Sequence, residues 1–126
     1  MNQEYRFPFE KLRVWQDARQ WVTSVYQVTA AFPPGEAFNL TSQIRRAGVS
    51  VAANLAEGSS RTSAKDQAHF SQIAYGSLME AACLTIIASD QSLIASGQLA
   101  VQRQAIAGLS NQINALRNSR LTRSVR

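Results

Sequence analysis

Residues 40–58 read LTSQIRRAGVSVAANLAEG, and their spacing decides the fold class. Leu40, Ile44, Ala47, Val51 and Leu55 recur at steps of four and three, which puts them on one face of an α-helix. A second row, polar this time, runs beside them: Gln43, Arg46, Ser50, Asn54, Glu57 and Arg61. On the far flank Val49, Ala52, Ala53 and Ala56 are again apolar or small, so the polar row is only a narrow strip. A helix that is apolar around most of its circumference is usually buried on two sides. In a small bundle one way to bury both is to meet another copy of the chain, with the polar strip setting register. The expectation is therefore oligomerisation through this helix, with Gln43, Arg46, Ser50, Asn54, Glu57 and Arg61 at the seam.

Upstream, Phe32-Pro33-Pro34-Gly35 breaks the chain, because Pro33 disfavours helical geometry at Phe32 and Pro34-Gly35 completes the turn. Before that break Leu12, Trp15, Val22, Val25, Tyr26, Thr29 and Phe32 define a first helix, at about residues 10–32. The second helix spans about 37–58, with Gly58 placed where a left-handed residue can close it. Ser63-Ala64-Lys65-Asp66 reads as a capping box opening a third helix, about 63–96, whose inward face is expected at Phe70, Ile73, Ser77, Ala81, Leu84 and Ala88. After Ser96-Gly97 a fourth segment, about 98–119, carries Leu99, Ile106, Leu109, Ile113 and Leu116, and a basic tail follows at 117–126. No stretch alternates like a strand. The chain reads as one all-α domain over residues 1–126, an antiparallel up-down-up-down four-helix bundle assembling into a ring-like oligomer.

Charge is distributed unevenly. The 126 residues carry a net charge of +5, yet residues 1–102 hold 8 Lys/Arg against 8 Asp/Glu, so Arg103, Arg117, Arg120, Arg123 and Arg126 are the whole excess. A basic end on a neutral body points to an acidic partner at that end. The single Cys83 excludes an internal disulfide, and its neighbours Ala81, Ala82, Leu84, Ile86 and Ile87 suggest a small buried hydrophobe with no catalytic role. The chain has one histidine, His69, which excludes the paired Glu-x-x-His motifs of a di-iron bundle, so no metal or other cofactor is expected. Asp66 is read as serving the helix start. The N-terminal stretch has no secretory apolar run and no stretch approaches the roughly 18 uninterrupted apolar residues of a membrane span, which makes a cytoplasmic location the expectation.

Two runs carry a resemblance: FEKLRVWQDA, and FPPGEAFNLTSQIRRAGVSVAANLAEGSSRTSAKDQAHFSQIAYGSLMEA. Together they resemble the 23S ribosomal RNA intervening-sequence proteins over about residues 9–90. The most specific part is Leu40, Gln43, Ile44, Arg45, Arg46, Ala47, Ser50, Asn54, Glu57 and Gly58, with Arg61, Ser63, Tyr75, Gly76, Ser77, Leu78 and Glu80 after it. The resemblance implies a bacterial four-helix bundle assembled as a homopentamer, without established catalysis. Relatives include the accessory protein of diversity-generating retroelements, which binds nucleic acid and a reverse transcriptase.

The leading functional expectation is a non-enzymatic oligomer that binds nucleic acid, RNA before DNA, or acts as a scaffold. Arg117, Arg120, Arg123 and Arg126 would meet phosphates, repeated around the ring. Arg46 is expected to pair with Glu57 or Glu80. The alternative is an adaptor that binds a partner enzyme such as a polymerase without touching nucleic acid. Catalysis is not expected: Glu57 and Glu80 could form a carboxylate pair, but no phosphate-cradling glycine loop, metal cluster or nucleophile set accompanies them.

Overall fold

The computed structural model describes residues 4–125, with side chains through Arg123. Among these residues all regular secondary structure is helical, with no strand. Four helices, α1 (Arg13–Thr29), α2 (Leu40–Ser59), α3 (Ala64–Asp90) and α4 (Ser96–Val125), are accompanied by short 3₁₀ turns at Pro8–Lys11 and Pro34–Glu36.

Every helix boundary has a local cause, and several differ from the sequence reading. α1 starts at Arg13 because Leu12 is extended, held by the preceding turn through a bond from its N–H to the Phe9 carbonyl. It ends at Thr29, three residues early, where the N–H of Phe32 tightens onto the Thr29 carbonyl before Pro33. The second helix opens at Leu40 because the Pro34–Glu36 turn occupies the residues before it, and Glu36 accepts from the Asn39 amide at 3.1 Å. The Ser63 cap is as read, its hydroxyl accepting the Asp66 N–H at 3.1 Å. α3 stops six residues before the expected end. Ser92 adopts a left-handed φ of 62°, and the Leu93 N–H returns to the Ala88 carbonyl at 2.9 Å, a closure normally given to glycine. At the next start Gln98 accepts the Ala95 N–H, so Gly97 lies within the first turn of α4 and marks no break. α4 itself runs on through the arginines to Val125.

The five α2 positions picked out by periodicity are all buried: Leu40, Ile44, Ala47, Val51 and Leu55. They meet Val14, Ala18, Trp21 and Val25 of α1, Ala74, Leu78, Ala81 and Ala88 of α3, and Ile106, Leu109 and Ile113 of α4. Alanine dominates the α3 contribution, so this helix approaches its neighbours closely, and it packs most extensively, against α2 and α4. The inward faces of α1 and α3 are rotated from the expected ones. Trp15 and Val22 are half-buried and Tyr26 exposed, while Ala18 and Trp21 face in. On α3 Ile73 is exposed and Ser71 and Thr85 are buried instead, each hydroxyl absorbed by the carbonyl four residues earlier, Gln67 or Ala81. α3 also has the length and mean hydropathy, 1.3, of a membrane span, a test that a helix wedged between two others can pass.

Neighbouring helices are tied by specific pairs. Arg45 reaches Thr29 and Gly48 lies against Trp21 between α1 and α2; Ser50 bonds Ser77 and Gly58 lies against Phe70 between α2 and α3. α1 meets α4 through the buried Trp21 indole N–H donating to Gln102 Oε1 at 2.9 Å. A second pair there joins Gln112 to Asp17 at 3.1 Å.

Candidate nucleic-acid interface and assembly face

The polar row of α2 forms a joined strip. Asn54 donates to the Ser50 carbonyl at 2.8 Å and to the Ser50 hydroxyl at 3.0 Å, and that hydroxyl shares a 2.8 Å bond with Ser77 of α3. One turn on, Glu57 holds Arg61 at 2.7 Å, and the Arg61 guanidinium lies 4.5 Å from the Phe70 ring centroid. Gln43, at the start of the row, is bonded to Asn39.

The expected pairing of Arg46 with Glu57 or Glu80 does not form. Arg46 and Glu80 are both exposed, and Glu57 is taken by Arg61, four residues on and just past the end of α2. Arg45 also turns away from the carboxylates: its Nε donates to Thr29 Oγ1 at 2.8 Å and its guanidinium sits over the Tyr26 ring at 4.5 Å. Both arginines therefore lie outside any ion pair among the described residues.

Beside this strip α3 exposes Ile73, Gly76, Glu80, Cys83 and Ile87, steps of three and four that make one stripe along its outer side. Cys83 is thus exposed, contrary to the expected burial. Its apolar neighbours misled because α3 is apolar on nearly every side, so residues next to Cys83 in sequence say little about which side faces out. His69 is exposed as well, and among the described residues no three His, Cys, Asp or Glu groups converge on a point.

The second flank of α2 is partly occupied by its own chain. Ala52 and Ala56 are half-buried across a groove from Phe9 and Trp15, while Val49 and Ala53 stay exposed. The sequence reading did not single out this N-terminal wall, although the run Tyr5, Phe7, Phe9 with Trp15 beyond it is its visible signal.

At the other end of the charge distribution, the terminal arginines separate into different roles. Arg120 is 4% exposed and does not face solvent: its Nη1 donates to the Gln67 carbonyl at 3.0 Å and to Ser71 Oγ at 2.6 Å. Burial, and then the nearby Arg123, lower its pKa from the ordinary arginine value. Arg123 is exposed and reaches Gln67 Oε1 at 2.7 Å. Arg117 is half-buried, with its Nε enclosed and unbonded. Arg126 lies outside the described residues. Three-residue spacing made these side chains look equivalent, but one of them is inside the bundle.

A family model described as 23S rRNA-intervening sequence protein matches residues 10–115. The chain belongs to that family. The match reaches further into α4 than the resemblance read from residues 9–90, and it takes in the whole α2 row and the α3 stripe. It stops before Arg117, so the terminal arginines lie outside the matched region. No curated protein matches the chain.

Proposed function

We propose that this 23S rRNA-intervening sequence family member is a non-enzymatic, cytoplasmic oligomer that binds RNA through phosphate contacts at the arginine end of α4. The observation that carries the reading is the continuation of α4 as helix through the arginine run. Bonds from Arg120 and Arg123 to Gln67 set that run beside the start of α3, where the exposed Lys65 stands, Arg61 being paired with Glu57. The contact pairs of neighbouring helices, 29 with 45 and 21 with 48, then 50 with 77 and 58 with 70, support an antiparallel up-down-up-down order.

In this reading the subunits meet through the α2 strip and the α3 stripe and form a ring, a pentamer, which repeats the cationic end around its axis. Avidity then exceeds what one helix end supplies. Glutamate at both Ile73 and Ile87 is expected to reduce the particle to monomers by light scattering, since both side chains are exposed in the subunit. An unchanged mass would remove the α3 stripe from the interface.

Phosphate contacts have a salt signature. Binding of a fluorescent RNA hairpin, followed by anisotropy between 50 and 200 mM salt, should show log affinity falling linearly with log salt. Arg123→Gln is expected to make that slope shallower by about one unit while the fold is kept, because Arg123 is exposed. An unaltered slope for both Arg123→Gln and Arg117→Gln refutes the arginine assignment. Truncation at residue 117 is the wrong test, because it also removes the buried Arg120.

A further inference from the structure

The groove between the N-terminal segment, α1 and α2 has a form that phosphate binding alone does not call for. It is a largely apolar cavity of about 420 Å³, with Phe9 and Trp15 on one wall and Ala52, Ala53 and Ala56 on the other. Arg19 stands at its rim, 5.6 Å from the Trp15 ring centroid. The same Arg19 also lines an adjoining polar recess with Arg6, Tyr5, Glu4 and Glu10. Two carboxylates share that recess with the two arginines; Glu10 accepts the Phe7 N–H at 2.7 Å, and neither Arg6 nor Arg19 is in an ion pair with Glu4 or Glu10 among the described residues. Leading to the groove is a continuous series of rings: Tyr5 meets Phe7 at 5.3 Å, Phe7 stacks on Phe9 at 5.7 Å, and Phe9 meets Trp15 at 4.9 Å.

We propose that this groove holds one unpaired nucleotide, its base against Trp15 and Phe9 over the alanines of α2 and its phosphate between Arg19 and Arg6. The proposal rests on the nucleic-acid reading above and deepens it. A purely apolar occupant would use the wall and leave the exposed Arg19 at the rim to solvent, whereas a planar ring bearing an anion uses wall and rim together. The alanine side chains leave the facing wall shallow, so a flat ring enters without displacing anything. A base held in a duplex cannot present its face, so the groove favours single strands and nucleotide ends, and stacking makes it tolerant of sequence.

The test uses the full-length protein with three probes: uridine monophosphate, a twelve-residue oligouridylate, and an abasic strand of equal length and charge. Trp15 is the reporter, with Trp15→Phe assigning the signal, since Trp21 is buried. Quenching by the oligouridylate, and an affinity roughly tenfold above that for the abasic strand, are expected from one stacked base. Quenching by uridine monophosphate with no gain from the longer strand would support the slot and make free nucleotide its ligand. Ala53→Phe, filling the groove from an exposed position, is expected to abolish the preference for bases while strand binding through the α4 arginines, with its salt dependence, persists. Equal affinity for the two strands, or a preference that survives Ala53→Phe, overturns the slot while leaving the phosphate reading standing. If neither strand binds, both readings fall. A change of particle mass in Ala53→Phe assigns the groove to a second copy of the chain and overturns the proposal.

Discussion

Arg120→Ala is expected to lower the thermal midpoint by roughly 10 °C, a loss of about 2–4 kcal/mol for a domain of this length. Arg120 is 4% exposed, and its Nη1 bonds the Gln67 carbonyl and the Ser71 hydroxyl, with no carboxylate partner among the described residues. A bond from a charged donor typically contributes about 1.5–3 kcal/mol, and the alanine variant also vacates the space of the long aliphatic stem. The opposing effect is desolvation, since a buried guanidinium is itself costly and its replacement by an apolar chain of similar volume can be neutral. Arg120→Met separates the two: it restores packing without charge and is expected to recover part of the loss. Circular dichroism melts of the three proteins decide the matter, and a drop below about 2 °C for the alanine variant would show that the bonds add little.

The second large effect has the opposite sign from the one helix propensity suggests. Glycine in a helix interior is about 1 kcal/mol worse than alanine, so Gly58→Ala ought to stabilise α2. A Cβ at Gly58, however, would stand 2.8 Å from the Phe70 Cβ and 3.4 Å from Arg120 Nη1. The nearest of these atoms is joined directly to the α3 backbone and cannot swing aside, so the two helices must separate. Overpacking of this kind costs about 1–3 kcal/mol, enough to exceed the propensity gain and leave a net loss of about 1–2 kcal/mol. Gly108→Ala is the control: a Cβ there meets nothing within 4 Å, and that variant is expected to gain up to about 1 kcal/mol. Urea unfolding of both variants gives the comparison, and a stabilised Gly58→Ala would refute the close-approach account. Because Gly58 and Arg120 meet at one junction, the double variant should lose less than the sum of the two.

Gly58 also marks the limit of what the chain's letters disclose. Its place at the end of α2 was legible, but its purpose was not a left-handed turn, since no glycine among the described residues has positive φ. The turn that does need that geometry is at Ser92, which nothing in the local spelling distinguishes from its neighbours, while Gly97 draws the eye and breaks nothing. The α2 face was readable because large apolar residues stand against polar ones along it. On α3 the contrast vanishes: alanines face inward and isoleucines outward, so periodicity locates the helix and not its orientation, and Cys83 was misplaced for that reason. The polar strip was visible as a row, but its bond to Ser77 required the neighbouring helix. Likewise the four terminal arginines have one spacing, and burial of Arg120 depends on the carbonyl of Gln67, fifty-three positions earlier.

The seam between α1 and α4 sets the order of assembly within the chain. All other paired helices are consecutive, joined by short connections, and can find each other through nearby encounters. α1 and α4 meet instead across separations of 78 to 95 residues, where glutamine amides supply the hydrogen bonds beside the shared core, Gln102 with Trp21 and Ser24, and Gln112 with Asp17. Closing so long a loop is paid in chain entropy before those bonds return anything. The seam of α1 with α4 is therefore expected to close after the contacts between consecutive helices have formed. Native-state hydrogen exchange is expected to show the amides of α1 exchanging ahead of those in α2 and α3.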